Sequence, residues 1–184
     1  MSLTLTRTHR AILCGLVVFL LVLAFFVYQR LSPQGIFADL QNDLRAIDPT
    51  LDASYTDLEG NVIDLRTYKG RPIIINAWAT WMPFSHTELP LIDAVASRYG
   101  DEIVIIGMNR MEDRTFIQAF LTTLAPMPHT LFLTDPADTF YRGIDGYAMP
   151  ETVFYREDGT MAQHIRGVIT EADLISGIEE ILAD

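Results

Sequence analysis

The chain has 184 residues, a length that suits one ordinary domain plus an appendage. Its 13 basic and 24 acidic residues give a net charge of −11, and the first 30 residues hold three Arg and no acid. Residues 31–184 therefore carry 10 basic and 24 acidic side chains, a net −14 that argues against nucleic acid or an anionic membrane surface as a partner and keeps the domain soluble.

Residues 1–10 read as a cytoplasmic tail. Ala11 to Tyr28 (AILCGLVVFLLVLAFFVY) is an uncharged apolar run of 18 residues. At ~1.5 Å per residue it spans about 27 Å, enough for a slightly thin bilayer core. A cleaved signal peptide has a shorter apolar stretch, about 7–15 residues, ahead of small residues. No A-x-A site follows this run, and a lipoprotein signal at Cys14 conflicts with the bulky Leu13 before it. The run reads as a single-pass signal anchor. Arg7 and Arg10 precede it and only Arg30 follows at once, so the positive-inside bias exports the rest of the chain to the periplasmic, extracytoplasmic side of the inner membrane. Cys14, the only cysteine, lies within the run, so no disulfide can form inside the exported part.

Residues 29–52 read as a neck. Ile36, Phe37, Leu40, Leu44 and Ile47 recur at helical spacing and predict a short amphipathic helix. From residue 53 to 184 the pattern is that of a domain. Val62 to Leu65, after the turn residues Glu59-Gly60-Asn61, predicts a strand. Pro72 to Ala79 (PIIINAWA) predicts a strand buried on both faces. His86 to Tyr99 reads as a helix and Glu102 to Asn109 as a second buried strand. A helix over Arg114 to Leu124 stops at Ala125-Pro126, followed by a short strand, Thr130 to Leu133, and a short helix, Ala137 to Arg142. Glu151 to Tyr155 and Met161 to Arg166 form a hairpin, and Glu171 to Leu182, capped by Thr170, closes the chain. The alternation gives an α/β fold with parallel central strands flanked by helices.

One stretch is more specific than its periodicity. Asn76 to Pro90, NAWATWMPFSHTELP, resembles the N-F-W-A-T-W-C-P-P-C-x-x-E-x-P signature of membrane-anchored thioredoxin-like proteins of the TlpA/ResA type, redoxins that include cytochrome c maturation reductases. Asn76, Trp78, Ala79, Thr80, Trp81, Pro83, Glu88 and Pro90 match it. Lys69 to Pro72 resembles the segment before the family's first core strand, and Gly146-Tyr147-Ala148-Met149-Pro150 resembles its cis-proline loop. The resemblance implies a thioredoxin-like fold over residues 53–182, a cis Met149–Pro150 bond, and thiol-disulfide chemistry.

That chemistry needs thiols that are not there. The first cysteine of the family attacks as thiolate and the second resolves the mixed disulfide. Met82 and Ser85 occupy those positions. A thioether cannot form a disulfide and a hydroxyl cannot resolve one. A hydrolytic Ser85–His86 pair fails on geometry, since neighbouring helical residues point about 100° apart. Met82, His86 and Met149 are a soft donor set of the kind that binds Cu(I). The competing reading makes them filler of an apolar groove, methionine being adaptable.

The favoured expectation is a redox-inactive binding, chaperone-like or assembly module that needs no cofactor. Its groove would be Trp81, Met82, Pro83, Phe84, Ser85, Tyr147, Met149 and Pro150, and its partner a protein or extended polypeptide. The alternatives are a thiol-disulfide oxidoreductase-related protein that uses a partner's thiols, and a copper-binding protein. Phe84 and Met82 either present an apolar surface or fold inward against the neck at Phe37 and Leu40.

Overall fold

Isoleucines 73, 74 and 75 are β-branched and apolar, which suits a strand with no solvent-facing side. In the computed structural model, which describes residues 49–183 together with Val22 and Tyr28, that run lies in an interior strand of a seven-stranded sheet. The elements are β1 (Ser54–Asp57), β2 (Val62–Asp64), β3 (Ile73–Trp78), α1 (Ser85–Ala96), β4 (Val104–Arg110), α2 (Arg114–Leu121), β5 (Thr130–Asp135), α3 (Thr139–Gly143), β6 (Glu151–Tyr155), β7 (Met161–Arg166) and α4 (Glu171–Leu182). All belong to one compact unit, Ala46–Asp184.

The strand order is β2-β1-β5-β4-β3-β6-β7. β3, β4 and β5 run parallel, while β6 and β7 on one side and β1 and β2 on the other are antiparallel. Side chains alternate between the faces as the pleat requires. Ile73, Ile75 and Ala77 join Val104, Ile106 and Met108 on one face, covered by Phe140 and Tyr141 of α3. Ile74 and Ile105 face the other way, against Ile92 and Val95 of α1 and Leu174, Ile178 and Ile181 of α4. Trp78, Leu89 and Ile117 make a third cluster beneath α2. α4 approaches β6 closely at Gly177, where a Cβ would fall 2.5 Å from the Phe154 ring.

Three local readings change. β1 was not expected; its SYTD sequence has no apolar alternation, and pairing with β2 and β5 makes it a strand. The strand at Val62 stops at Asp64, whose carboxylate accepts the Arg66 N–H at 3.0 Å and starts a 3₁₀ turn, Leu65–Tyr68. α2 ends at Leu121, and Thr123 and Leu124 continue in tighter turns onto the carbonyls of Phe120 and Leu121. The packed unit also reaches back before residue 53: Leu51 is fully buried and the Thr50 and Tyr155 hydroxyls meet at 3.1 Å.

Among the described residues no helix is long and apolar enough to cross a membrane. The expected span over 11–28 falls outside them but for Val22 and Tyr28, and the neck residues Phe37 and Leu40 also lie outside them.

Candidate functional site

The site forms where the parallel strands end. β3 runs out at Trp78, and the chain crosses Ala79 to Phe84 before α1 begins at Ser85. β6 lies antiparallel beside β3, with Ala77 opposite Glu151. Continuing that register puts Pro150 and Met149 level with Trp78 and Ala79, one strand spacing (about 4.8 Å) away. The Met149–Pro150 bond is cis, as expected.

The turn between Ala79 and Ser85 is held by its own backbone. The Met82 N–H donates to the Ala79 carbonyl and the Ser85 N–H to the Met82 carbonyl, both at 3.2 Å. The Ser85 hydroxyl donates to the Ala79 carbonyl at 2.8 Å and is buried. Its proton is committed to structure. From the other side, the Glu112 carboxylate accepts the Thr80 N–H at 2.7 Å, the Thr80 hydroxyl at 2.5 Å and the Asn109 amide at 2.8 Å, fastening the loop after β4 to the turn.

Two buried carboxylates lie behind the turn. Glu88 on α1 accepts the Asn76 amide at 2.7 Å and the Ile169 N–H at 3.2 Å. Burial pushes its carboxyl above the usual range, and these two bonds only partly oppose the shift. Glu151, next to the cis-proline, is wholly inaccessible. Its Oε1 accepts the Tyr141 hydroxyl at 2.8 Å and the Tyr147 and Ala148 N–H groups at 2.6 and 2.5 Å. Burial raises its carboxyl, but the Ala148 N–H, the Tyr141 hydroxyl, the Tyr147 N–H and His164 together outweigh it and leave a net lowering. Tyr141, also buried and bonded to Glu151, is pushed well above the ordinary phenol range. Arg110 lies 3.4 Å over the Tyr141 ring, forms a two-pronged pair with Asp138 at 2.6 Å, and donates to the Met149 Sδ at 2.6 Å.

A parallel core strand, a turn into a helix and a facing cis-proline loop describe a thioredoxin-like frame, and residues 45–182 match the Redoxin family. The chain is a redoxin. It is 29% identical over 103 residues to the thiol:disulfide interchange protein DsbE of Pseudomonas aeruginosa, a match covering 56% of this redoxin and 55% of that protein. It is 27% identical over 139 residues to the thiol-disulfide oxidoreductase ResA of Halalkalibacterium halodurans, covering 73% of this chain and 76% of the relative. The redoxin thus spans just over half the length of the first relative and about three quarters of the second. Among solved structures it is similar to MTB dsbF, with a TM-score of 0.67 over 73% of this chain and 98% of that one. At 20% identity that likeness establishes the fold alone.

The expected site residues divide. Trp81 (68% exposed), Phe84 (49%) and Tyr147 (78%) stand in solvent at this end of the sheet, and Pro83 is exposed with them. Met82 is 4% exposed, so the two alternatives left open for the turn divide between its residues: Phe84 faces outward, while the flexible thioether is buried. Ser85 and Pro150 are buried and Met149 is half-buried. Two of the three soft donors have other partners. The His86 ring lies against Phe120, centroids 4.6 Å apart, and the Met149 sulfur faces the cationic Arg110, which disfavours a metal cation there. The Ser85 hydroxyl donates to the Ala79 carbonyl and not to His86. The Glu151 network and the Glu112 clamp were not anticipated. Their only trace in the sequence is a set of charged residues inside or beside apolar runs.

Proposed function

We propose that this redoxin binds extended polypeptide at the remnant of a dithiol site and carries out no disulfide exchange. Thiol-disulfide exchange requires a thiolate, and the residues at the two reactive positions are a buried thioether and a hydroxyl bonded to a backbone carbonyl. What supports a binding role is one arrangement. Among the described residues the Met149 N–H and C=O take no hydrogen bond, and they stand beside cis Pro150 with Trp81, Phe84 and Tyr147 exposed around them. A free backbone donor and acceptor accept a strand-like segment, and apolar rings take its side chains. Burying each ring contributes on the order of 1.5–3 kcal/mol, enough in sum for micromolar binding after association costs. The groove is Trp81, Met82, Pro83, Phe84, Ser85, Tyr147, Met149 and Pro150, with Met82 and Ser85 as its floor.

We also propose that residues 11–28 anchor the redoxin in the cytoplasmic membrane with residues 29–184 outside the cytoplasm, on the hydropathy and charge of that segment.

Phe84→Asp tests the binding role. The side chain is half in solvent, so the variant is expected to melt within a few degrees of the parent while losing most of its affinity for extended peptides measured by calorimetry. Unchanged peptide affinity in a folded variant would sink the proposal.

A further inference from the structure

We infer that the segment docked at this surface is basic: an extended polypeptide in which Lys or Arg side chains alternate with apolar ones. The inference rests on the polypeptide-binding reading of the site. It starts from charge. Residues 49–183 hold 9 Lys and Arg against 20 Asp and Glu. Six of the nine cations are already paired with carboxylates, among them the two that touch groove residues, Arg110 at Met149 and Arg166 at Tyr147. Arg110 is held by Asp138 over Tyr141, and Arg166 lies 3.8 Å from Glu151 and 4.9 Å over the Tyr147 ring.

Two acids next in sequence to groove-anchoring residues are not committed. Asp113 follows Glu112, whose carboxylate grips Thr80 next to Trp81, and Asp145 lies two residues before Tyr147. Both are exposed, and among the described residues neither carboxylate has a partner. The rings repeat the asymmetry. Tyr141 and Tyr147 each carry a guanidinium of this chain on one face, whereas Trp81 and Phe84 carry no cation among the described residues. An indole with 68% of its surface in water and neither face taken by a cation among the described residues is the strongest aromatic seat for an ammonium or guanidinium. Alternation follows from the strand geometry at Met149: successive side chains of a paired segment point to opposite faces, so cations reaching Trp81, Asp113 and Asp145 leave apolar side chains for Phe84 and the floor. A second copy of this chain is a poor occupant, because two surfaces of the same acidic domain repel.

The test titrates the full-length chain, in non-ionic detergent, against three labelled peptides of about ten residues with Lys–Val, Ser–Val and Glu–Val alternation. The Lys–Val peptide is expected to bind roughly tenfold tighter than Ser–Val, with Glu–Val weakest, and the advantage should shrink as salt rises from about 0.05 to about 0.5 M. Trp81→Leu should weaken the Lys–Val peptide more than the Ser–Val one, cutting the roughly tenfold ratio between them to about twofold. Asp113→Asn combined with Asp145→Asn should remove most of the salt dependence, with circular dichroism checking that each variant is folded. Equal binding of all three peptides overturns this inference and leaves the docking site standing. A Lys–Val advantage that survives both sets of substitutions overturns it as well, because the selectivity then lies elsewhere. No binding of any peptide removes both readings.

Discussion

The Glu151 Oε2 and the His164 Nε2 lie 2.6 Å apart, with the carboxylate wholly buried and the imidazole nearly so. The pair braces the loop that ends in the cis-proline, because the other carboxylate oxygen holds the Tyr147 and Ala148 N–H groups. Glu151→Gln keeps the shape and removes the charge. It is expected to cost about 3 kcal/mol at neutral pH, read as a drop of several degrees in melting temperature. Since the folded carboxyl titrates below its ordinary value, its contribution is complete above about pH 4.3 and is lost as pH falls through the folded value. The gap between parent and variant should therefore close in acid; a gap constant from pH 7 down to pH 3 contradicts the assignment.

Glu88 carries the opposite sign. Burial raises its carboxyl, so ionising it opposes folding; the penalty is absent below about pH 4.3 and complete above the folded value. Glu88→Gln keeps an acceptor for the Asn76 amide and removes that penalty. Melting scans should show the variant gaining on the parent as pH rises from 4 to 8. A variant that loses ground over that interval would mean that Asn76 and Ile169 dominate the site.

The dithiol frame is testable by restoration. The purified chain should not reduce insulin disulfides above background. Met82→Cys combined with Ser85→Cys should reduce them measurably, because the turn and α1 that carry the two positions are in place. Turnover by the parent chain would overthrow the redox-inactive reading, and a folded but inert double variant would show that the frame no longer supports exchange.

The membrane proposal has a separate readout. A reporter fused after Asp184 should be active outside the cytoplasm, and the chain should stay in the membrane fraction after alkaline washing. Recovery as a shortened soluble protein would identify residues 11–28 as a cleaved signal.

The parts of this molecule that repeat with a period were readable in the sequence. β3 and β4 stand out as Ile-rich runs, and the Thr170 cap expected ahead of α4 is present, completed in the structure by Asp173. The turn and the cis-proline loop were legible as a motif. What escaped was set by partners far away in sequence. β1 is a strand because of β2 and β5, and the outward or inward choice of Phe84 and Met82 depends on the core each meets. Arg110 reaches Met149 across 39 positions, and no local pattern at either residue encodes that.

The strand order also sets a timetable. β1 touches the rest of the sheet only through β5, where Thr56 faces Thr134 and Asp57 faces Leu133. Until Thr130–Asp135 is available, the β1–β2 pair is a lone two-stranded hairpin, which is marginal in water. As the chain emerges amino end first, β3 and β4 can pair while that hairpin waits, and the first strands made are among the last to be secured.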